Sequence, residues 1–210
     1  MYRVHFVLSA GQEINHDTLT ISAISGAIPD VTGAVLATPL AESPPGLPAP
    51  TAAGVLDLWF DSLAAADAAT TATLPAGLQA DHVLLGIERV VMRTPDFYHG
   101  ECIKGVYLFS RKAGMTMADF QRHWWYVHGP IAALTEEATC YVQSHIQREA
   151  AFDGVTELYW RDVDAAMRGI SSEQMRVDQA GDAENFVEPG SVELMIAEQH
   201  IILPPWSHGL

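Results

Sequence analysis

The chain repeats itself at an offset of 100 residues, and that repeat restricts the folds open to it. GVLDLWFDSLAAADAA begins at Gly54 and GVTELYWRDVDAAMRG begins at Gly154. Each copy opens on Gly-Val and alternates apolar with polar residues, with an acid at Asp57 or Glu157. Each then reaches an aromatic pair, Trp59-Phe60 or Tyr159-Trp160, and runs into an alanine-rich stretch of helical period. A period of two followed by a period of 3.6 is a strand feeding a helix.

The likeness extends outward from this unit. VHFVLSAG from Val4 parallels VYLFSRKAG from Val106, and VLLGIERVVM from Val83 parallels VELMIAEQHI from Val192. Each half therefore reads βαββαβ, the ferredoxin-like pattern. The expected elements of the first half are strands 2–9, 31–38, 53–60 and 82–92 with helices 15–26 and 61–73. In the second half they are strands 103–111, 139–148, 154–161 and 191–202 with helices 116–135, 162–169 and 171–180. Thr116, Asp162 and Ser171 are the expected helix caps. The division is 1–93, a linker over 94–102, and 103–210. ESPPGLPAP, from Glu42, reads as a stiff exposed loop.

A ferredoxin-like sheet has helices on one face and needs cover on the other. Two halves in one chain supply it by packing sheet to sheet, so the fold class is α+β, an intramolecular α/β barrel. In YVQSHIQR, Val142 and Ile146 share one strand face, and Tyr141, Gln143 and His145 share the other. The mixed polar and aromatic face is the one expected to point inward, into a ligand-holding chamber between the sheets.

The charge balance narrows the partners. With 26 acidic against 11 basic residues the formal net charge is −15, which disfavours nucleic acid and anionic membranes. Residues 18–40 are interrupted by Pro29, Asp30 and Gly33 and do not read as a membrane span. MYRVHFVLSAG reads as a strand, not a leader. Cys102 and Cys140 have no metal-like spacing and read as free thiols in a cytoplasmic, reducing compartment. No dinucleotide, P-loop or nucleophile-elbow motif is present, and no metal or organic cofactor is expected.

Chemistry concentrates in MADFQRHWWYVHGPIAAL, residues 117–134. Met117, Phe120, Trp124, Val127 and Ile131 form a core stripe at helical spacing. His128 lies four residues after Trp124, on the same face. Pro130 lacks a donor and crowds the Tyr126 carbonyl, so the helix should kink or end there. That fixes His128 at an element's end, where an imidazole suits proton transfer. His123 is five residues away, and five steps of 100° turn it to another face. Tyr126 either presents its hydroxyl to a pocket or lies on the surface. Near the last strand, Asp182 and Asn185 read chiefly as turn residues, Phe186 as a lid or core plug, and Glu198 and His200 as groups sharing one strand face.

These segments resemble the EthD family of dimeric α/β barrels. The likeness rests on the helix ending W-x-x-x-H-G-P, Trp124 to Pro130, and on Asp-x-x-Asn-Phe, Asp182 to Phe186. It covers the second half; the first half lacks the fingerprint. The resemblance implies one chain mimicking a family dimer, with one intact site and one degenerate half. Relatives of this barrel include cofactor-free monooxygenases, isomerases, cyclases, dehydratases, decarboxylases and haem enzymes. A haem would need an axial ligand, for which His128, His145 and His200 are equivalent candidates.

The expected function is a cofactor-independent acid/base enzyme of dehydratase, isomerase or cyclase type, acting on a small hydrophobic carbonyl or enol compound. Its catalytic residues would be His128, His145 and Tyr141, with Trp124, Tyr126, Gln143, Tyr159, Asn185 and Phe186 binding substrate. The alternative is a binding protein for a hydrophobic intermediate of an oxygenase pathway. Whether two such chains pair further is open.

Overall fold

Both halves fold as βαββαβ, in a computed structural model that describes residues 1–95, 97 and 102–205. The first half comprises β1 (Tyr2–Leu8), α1 (Ile21–Ala27), β2 (Gly33–Pro39), β3 (Gly54–Phe60), α2 (Leu63–Ala69) and β4 (Ala80–Arg93). The second comprises β5 (Ile103–Phe109), α3 (117–132), β6 (Cys140–Ile146), β7 (Gly154–Trp160), α4 (Val163–Ser171), α5 (174–183) and β8 (Glu193–Leu203). Most of the expected 94–102 linker lies outside the described residues. Among the described residues no helix is long and apolar enough to cross a membrane.

Local chemistry sets the helix starts. Thr20, Ser62, Thr116 and Asp162 each accept a hydrogen bond from the backbone N–H three residues on, satisfying a donor the helix leaves free. The expected helix 15–26 splits, because Asn15 caps a single 3₁₀ turn, His16–Thr18, and Thr20 then starts α1. The expected helix 61–73 shortens to α2. Ser172, not Ser171, accepts from Met175 N–H ahead of α5.

The strand order is β4-β1-β3-β2 in the first half and β8-β5-β7-β6 in the second. Antiparallel pairing of β2 with β8 and of β4 with β6 joins the sheets at both edges. The result is a closed eight-stranded barrel, which leaves no edge strand exposed. The Pro-rich loop is largely exposed, as its composition predicts. Leu40 and Leu47 nonetheless tuck beside Leu194 and Ile196 of β8, and Leu40 N–H donates to the Ile196 carbonyl at 3.1 Å.

Strand alternation then divides the side chains. Outside the barrel, Phe6, Leu56, Leu58 and Phe60 pack under α1 and α2, and Leu158 and Trp160 pack with Ala165 and Ala166 of α4. Inside, Val7, Val55 and Leu84 of the first half meet Val106, Ile146 and Val155 of the second. Beside this apolar layer lies a buried ion network. Arg3 contacts Asp57 at 2.6 Å and Glu157 at 2.5 Å, and Lys104 contacts Glu157 at 2.6 Å and Asp57 at 3.2 Å. His5 Nδ1 lies 2.6 Å from Asp57, the Tyr159 hydroxyl donates to Glu157 at 3.0 Å, and Arg3 also reaches Glu88 at 3.2 Å.

This filling corrects the expected chamber between the sheets: that space holds side chains. The network spans the sequence repeat. Asp57 and Glu157 are the acids at the 100-residue offset, and Arg3 and Lys104 occupy matching cross-strand positions against Trp59 and Tyr159.

Burial pushes the Glu157 carboxyl up, but Arg3 and Lys104 together draw it down from 4.5 to about 2. Asp57 is likewise held far below the ordinary carboxylate range by Arg3 and Lys104 against burial. A depressed folded-state pKa stabilises the fold fully above the unfolded value, and that stability is lost on acidification through the folded value. Urea unfolding should therefore show stability falling as pH drops from about 4.5 towards about 2. Glu157→Gln leaves two buried cations short of a counter-charge and should cost about 3–5 kcal/mol, read as a shift of the urea midpoint at neutral pH.

Candidate active site

α3 is three segments in one helix. Met117–His123 is α-helical, Trp124–His128 forms a π turn, and Gly129–Ala132 returns to α. The wide turn closes where Gly129 N–H donates to the Trp124 carbonyl, five residues back. The Trp124 carbonyl also accepts from Gln143 Nε2 at 3.0 Å. Pro130 therefore does not end the helix at once: the chain stays helical to Ala132. The turn before it widens, and the chain continues past the missing donor. Such π turns recur at functional sites.

Core packing holds the first end of this turn. The fully buried Trp124 lies edge-on to Phe109 at 5.0 Å between centroids and stacks on His145 at 4.7 Å. Gly154 passes beneath these rings, where a Cβ would stand 2.9 Å from Phe109 Cζ and from Trp124 Cζ3. No larger residue fits there without displacing the aromatic pair.

The π turn changes the histidine geometry. In an α-helix His123 and His128 would diverge, as the sequence predicts, but here both reach one carboxylate. His123 Nε2 lies 3.0 Å from Asp182 Oδ1, and His128 Nδ1 lies 3.0 Å from Asp182 Oδ2. Phe186 packs against both imidazoles, at 5.1 and 4.9 Å between centroids. A carboxylate accepting from Nδ1–H fixes the tautomer of His128 and leaves Nε2 as an acceptor. Burial lowers the His128 pKa from its ordinary 6.5, and Asp182 opposes that shift. His128 is thereby a largely neutral base at pH 7.

His128 borders a cavity of about 360 Å³. One wall is the outer face of β5 and β7, with Tyr107, Phe109, Thr156 and Leu158. α3 contributes Trp124 and His128, and α5 with the following turn contributes Met175, Arg176, Gln179 and Phe186. α5 also carries a π segment, Gln174–Gln179. It is tied to the end of α3 by Gln174 Nε2 donating to the Ile131 carbonyl and Gln179 Nε2 donating to Thr135 Oγ1, at 2.6 and 2.7 Å. The cavity thus lies between the second sheet and its own helices, outside the barrel. The walls are apolar apart from a few polar groups, the usual make-up of a site for a small organic molecule. Among the described residues no group of three or more His, Cys, Asp or Glu side chains is gathered as metal ligands would be.

Of the sequence-predicted residues, His128, Trp124 and Phe186 line the cavity. Tyr141, Gln143 and His145 face the helices and not the barrel interior, which reverses their expected direction. They stand behind Trp124 in one buried chain. Gln143 Nε2 donates to the Tyr141 hydroxyl at 2.8 Å, and Gln143 Oε1 meets His145 Nε2 at 2.9 Å. Burial, then Arg89, pushes His145 down to about 3, and burial pushes Tyr141 up to about 12. Both are neutral at ordinary pH, and they brace the Trp124 turn instead of meeting the cavity.

Three binding candidates lie elsewhere. Tyr126 is 71% exposed, on the solvent side of the π turn. Tyr159 points into the barrel, onto Glu157. Asn185 is exposed and directs its amide to Asp182 Oδ1 at 3.4 Å. His200 stands on the first-half side, its ring 4.0 Å from that of His16. Asp182, read from sequence as a turn residue, is the carboxylate that orders both histidines, and the Asp-x-x-Asn-Phe motif was its only signal. Nothing in the sequence marked Tyr107, Thr156, Arg176 or Gln179.

Residues 112–190 match the model of the EthD domain. The whole fold is similar to that of an anthrone oxidase-like protein, at 9% identity over 100% of this chain and 95% of that one, TM-score 0.56. It is also similar to a candidate monooxygenase from Fusobacterium nucleatum subsp. nucleatum ATCC 25586, at 10% identity over 95% and 93%, TM-score 0.55. A chlorite dismutase from Candidatus Nitrospira defluvii matches at 11% identity over 94% and 90%, TM-score 0.52. No curated protein matches the sequence. At these identities the structural likeness is one of fold. The cavity, by its size and mainly apolar lining, suits a small organic molecule.

Asp182→Asn removes the charge that holds the His128 pKa up and leaves a single acceptor oxygen, with an NH2 donor, for two imidazoles. The His128 resonance should then titrate at still lower pH, with Nδ1–H no longer the sole tautomer. Nitrogen-15 imidazole NMR across a pH series reads both changes.

Proposed function

With an EthD domain spanning residues 112–190 of its second half, we propose that this chain is an enzyme that moves a proton on a small, mainly apolar carbonyl or enol compound. The observation that carries this reading is His128, set in a cavity wall with Nδ1 engaged by Asp182 and Nε2 making no hydrogen bond to the described residues. A tautomer fixed by a carboxylate, with the other nitrogen facing reactant, is the arrangement of a general base.

In this mechanism the substrate's apolar body lies against Trp124, Phe186 and Leu158. Nε2 of His128 takes a proton from the carbon or hydroxyl beside the carbonyl, and Asp182 stabilises the resulting imidazolium. The conjugate acid then returns the proton at the position where bond order has changed. An isomerisation ends there; a dehydration or cyclisation continues with loss of water or attack on a second carbonyl. His123 shares the Asp182 carboxylate and keeps it in place. No step of this sequence calls for an organic cofactor or a metal.

2-Tetralone, a bicyclic ketone with acidic α-hydrogens, suits both the cavity size and the chemistry. Proton NMR in deuterated buffer should show protein-accelerated exchange at its α-carbon. His128→Ala should lose about 10²–10⁴-fold of that acceleration while melting like the parent. Because the base works neutral and burial lowers its pKa from 6.5, the acceleration should fall on acidification with a midpoint below 6.5. Equal exchange by parent and His128→Ala removes His128 from the mechanism. Probe binding without any exchange leaves a binding protein.

A further inference from the structure

Arg176 is the one cavity-lining cation among the described residues. It projects from the π segment of α5, is exposed at the rim, and makes neither an ion pair nor a side-chain hydrogen bond to the described residues. Several other arginines are paired. Arg111 meets Asp153, Arg122 meets Asp119, Arg148 meets Asp67, and Arg168 meets Glu137. Arg89 and Arg93 also make no ion pair to the described residues, but neither lines the cavity. In a protein with 26 acidic residues and a net charge of −15, a counter-ion for one more arginine is easily supplied. Here, at the mouth of an apolar cavity, none is.

The two π segments make this placement specific. One sets His128 on the α3 side of the cavity, and the other sets Arg176 on the α5 side. Gln174 and Gln179 flank Arg176 and are both used in fastening α5 to α3, so the guanidinium projects from a fixed stretch of helix. A guanidinium forms paired N–H···O bonds with a carboxylate or an ionised phenol or enol.

We propose that the ligand of this cavity is an organic anion with an apolar body. Arg176 binds its acidic group at the rim, and the rest enters between Trp124, Phe186 and the sheet towards His128. The proposal deepens the enzymatic reading above and rests on it for the site, but it concerns recognition and not catalysis. Arg176 is a specificity residue: it separates anionic from neutral molecules of the same shape.

The test uses 2-naphthoate and its neutral counterpart 2-naphthylmethanol, titrated calorimetrically into the full chain. 2-Naphthoate should bind about fivefold to tenfold tighter, the range of a partly exposed charge-assisted pair. Arg176→Gln should abolish or reverse that preference and leave 2-naphthylmethanol binding within about twofold, as for other surface substitutions. Arg176→Lys should keep part of it. Ala183→Trp, which fills the cavity, should weaken both probes.

Equal binding of the two probes by the parent overturns the proposal, as does a preference that survives Arg176→Gln or binding of both probes that Ala183→Trp leaves unchanged. An arginine-dependent preference without any tetralone exchange sustains the recognition claim and removes the catalytic one. Tetralone exchange without the preference does the reverse.

Discussion

Two cations and two anions, one of each from either half, meet in the centre of the barrel, and the architecture depends on their mutual neutralisation. Arg3 and Lys104 both touch Asp57 and Glu157. Each carboxylate is removed from water by sheets on all sides, and either half alone would leave its pair with fewer partners. Desolvating such charges costs several kcal/mol per ion unless the geometry returns it. Here the return requires both halves at once, so the network selects the register in which the sheets close more than it adds net stability. The β2–β8 and β4–β6 seams and the shared apolar layer then complete what the charges align.

This interior explains why the site lies where it does. With the space between the sheets filled, the cavity beside His128 lies instead between a sheet and its own helices. The first half fills that layer with a continuous cluster from Val4 to Leu85 under short helices. The second half has longer helices carrying two π segments, and the extra backbone width leaves room over β5 and β7. The sequence difference between the copies, a tryptophan-rich helix against one without any tryptophan, thus becomes a difference in available volume.

The repeat, the eight strands and the caps Thr116 and Asp162 were legible because they depend on local pattern: alternation, glycine positions and oxygen-bearing residues at the start of helical runs. The face of β6 was not. Alternation shows that Tyr141, Gln143 and His145 share a side, but in a barrel wrapped by helices both sides are buried, and every residue of β6 is inaccessible. Hydrophobicity then does not say which side is the interior. His128 was legible through its helix and the Gly-Pro that follows. Its partner Asp182 lies 54 residues later, and only tertiary structure brings them together. Arg176 looked like any solvated helical arginine, since its meaning comes from the counter-ion it lacks.

The placement of both imidazoles on Asp182 is a matter of residue number more than residue type. Between Trp124 and Gly129 the helix carries one residue beyond a regular turn, and the wide turn absorbs that surplus so that His123 and His128, five apart, share a face. Side-chain replacements along the solvent edge, at Tyr126 for instance, leave the phase intact. Insertion of a further residue between the two histidines would advance everything downstream by about 100° and swing His128 out of reach. A lineage carrying this helix can therefore exchange its outward aromatics while tolerating no lengthening there, and its insertions, more than its substitutions, would record where the paired imidazoles have been lost.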